Sequence, residues 1–398
     1  MSDCIYRDCE TCGKLVNHKN VHAGTKLKFE TFSEYAEIFY YKVAGYYKNN
    51  ISVINFIDCM SCSGLYYDKK NKEFIEGTAI KILDLIPIIA NKFPHIKFNI
   101  YFNDYNPQYV KCLKCILSRK TMPKNVFVHI YGLDKNVFID EISDKGFIRS
   151  YKAQNLIIYD PYDVDFSWSY LDKILKLKGD LILTHFYPID IKRNITNKIS
   201  AEVIKKYENS YLMPFDEITA ITKEKTVEEK NDFFRNRLRE ILLLRSNKKY
   251  FAYLPVLIHY DSLHLYDITC LSSSAHAIGL IKDTMYSLYT KNKNTSTITH
   301  SQISFFGDDK TNDYVDARQS GVSEYCFHYD IQHLTKMFCE EFKGKEIEKK
   351  EFDKLIREHP YFPEKAVKVI QKKWRCTREK KGETTILKFP ERSLYEQD

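Results

Sequence analysis

The sequence contains no long apolar run. None of its 398 residues form a segment near the roughly 20 apolar residues that a membrane-spanning helix requires. Met1-Ser2-Asp3-Cys4 also lacks the charged and then apolar pattern of a secretory signal peptide. We therefore expect a cytoplasmic protein without a membrane partner, in which the 11 cysteines are thiols or metal ligands rather than disulfides.

The three-glycine phosphate fingerprint of classical dinucleotide-binding enzymes is missing too, which argues against a classical dehydrogenase. Charge of one sign is not dominant. With 61 basic and 53 acidic residues, the net charge of +8 is compatible with an anionic partner without requiring one. Hydrophobic residues at 44% and charged residues at 29% indicate a globular protein, and its length suggests more than one domain.

The chain is organised around a run of branched and aromatic residues, Val53–Ile57, that ends in Asp58. Small residues follow, namely Ser61, Cys62, Ser63 and Gly64. This pattern predicts a buried strand that leads into a tight turn. At the carboxyl end of a parallel strand, such a turn forms a crevice where a ligand contacts bare backbone, with Asp58 as a negative charge at its edge.

Predicted strands alternate with predicted helices through short connections. The strands are expected at residues 53–58, 98–104, 126–131, 155–159 and 179–186. This alternation is typical of an α/β fold with a parallel sheet and helices on both faces. Nearly every strand ends in a polar group that we expect along one edge of the sheet: Asp58, Asp104, Asp134, Asp160 and His185.

A helix is predicted before the first strand, between Lys26 and Tyr47, from aromatic and apolar residues at helical spacing. His22 and Lys26 are four residues apart, so they can share one helix face towards the crevice, where Lys26 would suit an anionic ligand. The alternative is that both are ordinary solvated side chains. After Gly77, Thr78 is expected to cap the next helix.

The later sequence departs from this rhythm. Residues 190–248 are charged and helical, which predicts a helical insertion, and two strands and a helix follow up to residue 290. We divide the chain into an N-terminal Cys/His arm at 1–22, a Rossmann-like domain at 23–290 and a C-terminal module at 291–398. Helix, turn, helix and strand in that module are compatible with a small winged-helix unit.

The segment Lys365–Lys381 is strongly basic, with eight Lys or Arg residues against one Glu. Lys372, Lys373 and Arg375 flank Trp374. Such a segment predicts contact with a nucleic acid backbone. The alternative is a solvated helix face followed by a mobile loop.

Two cysteine pairs have metal-ligand spacing. Cys9-x-x-Cys12 is followed by His18-x-x-x-His22, a set of zinc-ligand residue types in the N-terminal arm. The alternative is a reduced arm without metal. We expect Cys112-x-x-Cys115, on a predicted helix, to be core thiols, because no further ligands lie near them in the sequence.

The stretch from Phe56 to Gly64 resembles the first motif of class I S-adenosylmethionine-dependent methyltransferases, D-x-F-x-G-x-G, with Met60 at the phenylalanine position and Cys62 at the middle glycine. The order of further motifs resembles one family in that class, the three-Cys-motif partner proteins. The matching positions are His22 with Lys26, Ile57 to Tyr66, Gly77-Thr78-Ala79, Asp104, Asp160-Pro161-Tyr162, and Lys249-Tyr250 through Pro255-Val256.

This resemblance implies a Rossmann-like methyltransferase fold with S-adenosylmethionine as cofactor. Its implied cofactor-binding residues are Asp58, Ser61, Cys62, Ser63, Gly64, Gly77, Thr78, Asp104, Leu133 and Asp134. Asp58 would meet the ammonium, Asp104 the ribose, and Leu133 and Asp134 the adenine. Asp160, Pro161 and Tyr162 would act beside the transferred methyl group, with a nucleic acid base or another amine as acceptor.

Two other classes of function remain open. The chain could bind S-adenosylmethionine or another nucleotide as a sensor without transferring a methyl group. It could also be a non-catalytic partner of another protein, in a phage-defence or radical-enzyme context. Affinity for the cofactor separates the partner protein from the other two functions, and methyl transfer separates the enzyme from the sensor.

Overall fold

A computed structural model describes residues 9–12, 23–46, 50–68, 72–161, 164, 166–185, 200–258, 263–295, 326–327, 331–392 and 394. The chain divides into two compact units, Met1–Lys249 with Leu271–Ser273, and Tyr250–Cys270 with Ser274–Asp398. The sequence-based division at residue 290 stays a prediction. In the part of the chain that the structure describes, no helix combines the length and apolarity needed to cross a membrane.

The first unit alternates strands and helices as predicted. Its elements are α1 (Ala23–Tyr46), β1 (Val53–Asp58), β2 (Leu65–Asp68), β3 (Glu73–Glu76), α2 (Thr78–Lys92), β4 (Lys97–Asn103), α3 (Pro107–Leu117), β5 (Val126–Tyr131), α4 (Lys135–Ser143), α5 (Gly146–Arg149), β6 (Ala153–Tyr159), α6 (Trp168–Leu175), β7 (Gly179–His185), α7 (Ala201–Tyr211), α8 (Phe215–Thr222) and α9 (Val227–Arg245).

The central sheet of this unit has the strand order β7-β6-β1-β4-β5, and every one of these pairings is parallel. The chain moves outward from β1 through β4 to β5, then returns to β6 on the other side of β1. Helix α1 packs on α2, whereas α4 packs on α6. The predicted Rossmann-like α/β sheet is therefore confirmed, and the reversal of strand order lies between β1 and β6, where such sheets bind ligands.

Helix α1 has the apolar face that its spacing predicts. Each predicted core position is buried: Phe29, Phe32, Tyr35, Ala36, Phe39, Tyr40 and Val43. The Tyr35 hydroxyl donates a hydrogen bond of 2.9 Å to Asp180 Oδ2 at the start of β7. Hydrophobic burial and this buried bond together hold α1 against the sheet.

Three buried asparagines fix the register of the central strands. Asn55 of β1 lies level with Asn99 of β4 and Asn155 of β6. Asn99 Nδ2 donates to Asn55 Oδ1, and Asn55 Nδ2 donates to Asn155 Oδ1, both at 2.8 Å. Asn155 Nδ2 also donates to the carbonyls of Ile148 and Lys178. A slip by one residue would leave these buried amides unpaired, so the asparagine ladder (Asn55, Asn99 and Asn155) stabilises one register.

The predicted helical insertion is confirmed as α7, α8 and α9. Helix α9 begins with a capping box, in which Thr226 and Glu229 exchange hydrogen bonds. Its apolar side is buried, including Phe234 and Leu238. Near its end, the Arg245 guanidinium forms a two-bond ion pair with Asp172 of α6, at 2.7 and 2.6 Å, which fixes the insertion to the Rossmann-like part of this unit.

The second unit contains the small C-terminal module that was predicted. Its elements are β8 (Tyr250–Ile258), β9 (Leu263–Ser272, whose last two residues belong to the first unit), α10 (Ala275–Thr295), β10 (Cys326–Phe327), α11 (Ile331–Phe342), β11 (Glu346–Glu348), α12 (Lys349–Glu358), α13 (Glu364–Lys373), β12 (Thr377–Lys381) and β13 (Thr384–Lys388). The last three strands form an antiparallel sheet in the order β11-β13-β12. Helix, strand, two helices and a hairpin make the module winged-helix-like.

Helix α10 packs on α12 and α13 of the winged-helix-like module. The buried Lys282 ammonium of α10 donates to the carbonyls of Ile356, Arg357 and His359 at 2.9, 3.2 and 2.5 Å. Burial lowers the pKa of Lys282 to about 7. These bonds satisfy carbonyl groups at the end of α12 that the helix itself leaves unpaired, so α10 is part of the second unit.

Candidate active site

Three aspartates follow the ends of adjacent strands in the first unit. Asp58 ends β1, Asp104 follows β4 and Asp160 follows β6. Asp58 and Asp104 are 4% and 5% exposed, and the Asp160 side chain is 17% exposed. Because these strands are parallel neighbours, their carboxyl ends meet at one edge of the sheet. We call these three side chains the carboxylate edge.

The ionisation of Asp58 is perturbed by its surroundings. Its pKa is raised to about 7, mainly by burial and also by the negative charges of Asp160 and Asp104, and hydrogen bonds from Met60 N and Ser61 oppose this rise. The Met60 N–H donates to Asp58 Oδ1 at 3.1 Å. An ionised carboxylate here is costly in the free protein, and a cation beside it would stabilise it.

Asp160 is held by α1. Its Oδ2 forms an ion pair of 2.5 Å with Lys28 Nζ, and both side chains are largely buried. Its Oδ1 is buried and has no hydrogen-bond partner among the described residues. Asp160 therefore offers a fixed acceptor atom. Pro161 is buried beside it, whereas Tyr162 lies outside the described residues.

The turn after β1 is tied to β4. Cys62 has a φ of +55°, which is a left-handed conformation that favours glycine, and its N–H donates to Asp104 Oδ2 at 2.9 Å. Ser61 N donates to Asn103 O at 2.7 Å, and Ser61 Oγ donates to Asp58 O at 3.2 Å. The Ser63 hydroxyl donates to Leu65 O at 2.6 Å. Backbone and side-chain bonds thus fix this turn in one shape.

Asn103 is a residue that sequence reasoning missed. Its Nδ2 donates to Cys59 O at 3.1 Å and to Leu133 O at 3.0 Å, and its Oδ1 accepts from Leu133 N at 3.0 Å. One buried amide therefore joins the turns after β1 and β5. An asparagine at the last position of a buried strand, directly before Asp104, is the signal that could have indicated this role.

A hairpin of β2 and β3 separates the turn from α2, yet its ends meet. Gly77 N donates to Gly64 O at 2.7 Å, so α2 begins directly beside the turn. Gly64 has a φ of +68°, and a Cβ there would lie 3.2 Å from Ala79 Cβ; a Cβ on Gly77 would lie 2.6 Å from the Tyr66 ring. At both positions the close neighbours favour glycine, because it has no Cβ. The N-cap of α2 is Gly77, not Thr78 as expected, and no side chain caps it.

The turn after β5 contains the two residues expected near an adenine. The backbone of Leu133 is bound on both sides by Asn103. Asp134 is the N-cap of α4, and its side chain accepts from Asn136 N at 2.8 Å. Asp134 therefore already has a structural role that stabilises the start of α4.

At the carboxylate edge, Asp160 pairs with Lys28 of α1. Lys26 Nζ forms an ion pair of 2.8 Å with Asp68 of β2. Lys28 carries no spacing signal that would distinguish it from other lysines of α1. His18 and His22 lie outside the described residues.

The basic C-terminal segment is split between surface and core. Lys372, Lys373 and Arg375 are exposed. Trp374 is fully buried, and its indole N–H donates to Arg392 O at 2.7 Å. Because Phe338 and Phe389 pack around the Trp374 ring, we assign it to the core of the module rather than to a binding surface.

Two cysteine pairs that are distant in sequence meet in the first unit. Cys9, Cys12 and Cys115 have sulfur atoms within 4.8 Å of one another, and Cys112 Sγ lies 3.0 Å from Cys12 Sγ. Cys112 is a core thiol as expected, and Cys115 packs against the same core, but two further cysteines that are distant in the sequence lie beside this pair. A polypeptide separation of about 100 residues hid this contact from sequence reasoning.

No protein-family model matches the sequence, and no curated protein matches it. Among solved structures, the chain is similar to Trm1 from Pyrococcus horikoshii in complex with S-adenosyl-L-methionine, at 12% identity and a TM-score of 0.34, over 67% of this chain and 62% of Trm1. Rv0187 from MTB in a cofactor-bound form is similar at 9% identity and a TM-score of 0.28, over 66% of this chain and 94% of Rv0187.

Human N-acetylserotonin methyltransferase in complex with SAM is similar at 10% identity and a TM-score of 0.23, over 62% of this chain and 56% of the human protein. The match thus spans less than two thirds of the length of Trm1 and of the human enzyme. These TM-scores leave the function of this chain to be inferred from its own side chains.

Proposed function

We propose that the first unit binds S-adenosylmethionine at the carboxylate edge and transfers its methyl group to an amine nitrogen. The observation that carries this proposal is the cluster of the buried Asp58 and Asp104 with the partly buried Asp160, which pairs with Lys28. Since the pKa of Asp58 is raised to about 7, a ligand with a fixed positive charge is favoured beside it.

The residues present fit such a cofactor. Asp58 would hold its ammonium group. Asp104 would accept hydrogen bonds from its ribose hydroxyls, beside the backbone N–H groups of Cys62 and Asn106 that already donate to its two oxygens. Gly64 and Gly77 would leave the backbone accessible where a side chain would obstruct it.

When bound, the cofactor supplies a methyl group on a positively charged sulfur, and this sulfur is the leaving group when an amine lone pair attacks the methyl carbon. Asp160 would orient that amine, since Oδ1 is a buried acceptor while Lys28 holds Oδ2. Correct alignment alone supplies a large part of the acceleration in such displacements. Pro161 would fix the chain beside Asp160, and Tyr162 would stack on a flat acceptor.

A nucleic acid base is the acceptor that the second unit favours. On α13, Ala366, Val367 and Ile370 are buried, while Lys368 and Lys372 are exposed one turn apart. In winged-helix-like modules a helix of this kind can lie in a groove of a duplex while lysines contact phosphates. A duplex base would have to leave the stack to be methylated.

The first experiment is titration calorimetry of the full chain with S-adenosylmethionine and S-adenosylhomocysteine. We expect binding by the wild type, about 10- to 100-fold weaker binding by Asp58→Asn, and unchanged binding by Asp180→Asn, because a charged hydrogen bond contributes about 1.5–3 kcal/mol. Asp180 is an equally buried carboxyl at the opposite edge of the same sheet. No binding by the wild type would contradict the proposal and favour a non-catalytic partner protein.

Transfer is tested with labelled cofactor and DNA or RNA. Asp160→Asn should bind the cofactor like the wild type but transfer the methyl group at least about 100-fold more slowly, because the acceptor loses its orienting charge. Cofactor binding without transfer to any nucleic acid or amine would favour the sensor.

Nucleic acid contact is tested by the salt dependence of DNA and RNA binding. The double variant Lys368→Ala with Lys372→Ala should lower the salt slope by about two phosphate contacts. Lys354→Ala, which removes an exposed lysine from α12, is the matched control. An equal effect of both changes would argue against a contact through α13.

A further inference from the structure

Four cysteines from two distant C-x-x-C pairs form one cluster in the first unit. Cys9 and Cys12 lie in a turn before α1, and Cys112 and Cys115 lie on α3. Cys9 Sγ is 3.6 Å from Cys115 Sγ, and Cys12 Sγ is 3.0 Å from Cys112 Sγ. Each sulfur of one pair thus lies beside a sulfur of the other.

We propose that Cys9, Cys12, Cys112 and Cys115 bind one zinc ion. Four thiolates suit zinc, and with Zn–S bonds of about 2.3 Å the sulfurs of a tetrahedral site lie about 3.8 Å apart. The sulfurs of Cys9, Cys12 and Cys115 already lie within 4.8 Å of one another. Cys112, one helical turn from Cys115 and in contact with Cys12, completes the set by a change of rotamer.

The spacing within each pair supports a shared ion. On α3, Cys112 and Cys115 are three residues apart, so their side chains lie on the same helix face. In the N-terminal turn, the Cys12 N–H donates to Cys9 Sγ at 3.3 Å, which brings the two side chains of that pair to one side. Neither pair could supply four ligands alone.

The groups around the sulfurs are those that stabilise bound thiolates. Arg119 Nη2 donates to Cys9 Sγ at 3.0 Å and to Cys115 Sγ at 3.6 Å. A zinc ion with four thiolates carries a net charge of −2, and cationic or N–H donors to the sulfurs offset that charge. Arg119 would therefore be a positioning residue for the ligands.

The cluster lies against the hydrophobic core beneath the turn that follows β1. Cys12 and Cys112 pack with Leu65, Ile80 and Ile116. Leu65 directly follows Gly64, and Ile80 lies in the first turn of α2. A closed site with four protein ligands would thus be structural, and it would join the N-terminal turn to α3 beside the candidate active site.

The test is the metal content of the full chain, purified without chelator and measured by mass spectrometry of the elements. We expect close to one zinc per chain in the wild type, background zinc in Cys9→Ser and in Cys115→Ser, and wild-type zinc in Cys376→Ser. Cys376 is a thiol of similar intermediate exposure outside the cluster. A wild-type protein that holds no zinc, even after zinc is added, would overturn the proposal whether or not the variants fold.

Cobalt substitution tests the ligand set. The wild type should give the absorption of tetrahedral thiolate-bound cobalt, and Cys112→Ser should weaken the thiolate-to-cobalt band; no change in that band would exclude Cys112 as a ligand. Alkylation without reductant should show four free thiols after zinc removal. Disulfides within the cluster in freshly purified protein would contradict a metal site.

Discussion

The same three strands have opposite polar chemistry at their two ends. Towards their start, β4, β1 and β6 carry the asparagine ladder, in which neutral amides are paired with one another. At their carboxyl ends they carry the carboxylate edge, where burial, together with the like charges of Asp160 and Asp104, raises the pKa of Asp58. The three asparagines, Asp58 and Asp104 are buried, and Asp160 is partly buried.

The difference separates a structural polar group from a functional one. A buried amide network that is fully paired fixes register and leaves nothing for a ligand to bind. Buried carboxylates that repel one another reduce stability, and they do so where a cationic ligand would relieve the repulsion. Burial alone therefore does not mark the site, whereas neighbouring carboxylates of like charge do.

The largest effect is expected at the ladder. Asn55→Leu should lower the free energy of unfolding by about 3 kcal/mol, because it leaves the buried amides of Asn99 and Asn155 without their partner. Urea denaturation at constant pH measures this. Thr184→Val is the control, because the buried Thr184 hydroxyl has no partner among the described residues and its removal should change stability little. An equal change in the free energy of unfolding in both variants would contradict the view that the paired amides stabilise the fold.

At the carboxylate edge, replacing the buried polar group Asp58 should raise the free energy of unfolding at high pH, which is the opposite of the effect expected for Asn55→Leu. Because the folded-state pKa of Asp58 is about 7 rather than its ordinary 3.8, its contribution to stability is full below about pH 4 and is lost as pH rises through 7. Between pH 5 and pH 8, the free energy of unfolding of the wild type should fall by about 2 kcal/mol relative to that of Asp58→Asn. Parallel pH profiles of the two proteins, measured without ligand, would contradict the raised pKa.

Ligand affinity should follow the same ionisation. A cationic cofactor binds the charged form of Asp58, so its affinity should weaken about tenfold between pH 8 and pH 6, which is one pH unit below the folded-state pKa. Calorimetry at both pH values measures this, and the affinity of Asp58→Asn should be the same at both. Affinity that rises at low pH would indicate an anionic ligand and a different role for the carboxylate edge.

The smallest effect concerns the backbone at this edge. Cys62→Gly should raise the free energy of unfolding by about 0.5 kcal/mol, because it relieves a left-handed conformation. Gly64→Ala, two residues later, should lower it by about 1 kcal/mol or more, since its φ is also positive and its new methyl group would crowd Ala79. Thermal unfolding of both variants measures the opposite signs. A loss of stability in Cys62→Gly would show that the packing of the thiol stabilises the protein by more than the left-handed backbone conformation destabilises it.

Local patterns predicted much of the fold. The apolar spacing of α1, the branched runs of β1 and β4 and the acid after each strand depend on neighbours in sequence, so they could be interpreted directly. The short strands β2 and β3 were not predicted, because their weakly alternating residues resemble a loop.

The parts that sequence could not supply depend on distant contacts. Lys28 contacts Asp160 across 132 residues, and Cys9 contacts Cys115 across 106. The first of these contacts exists because α1 packs on β6, which is a property of the topology. The role of Asn103 likewise depends on a distant residue, because its amide links two turns only through the hydrogen bond to Leu133.

The bond between Gly64 and Gly77 makes the intervening hairpin a closed insertion. Since the chain enters and leaves β2 and β3 at one hydrogen-bonded point, the length of the segment between them is decoupled from the spacing of the turn and α2. Relatives could therefore differ here by many residues without any change in the turn, and alignment by a fixed motif spacing would miss them.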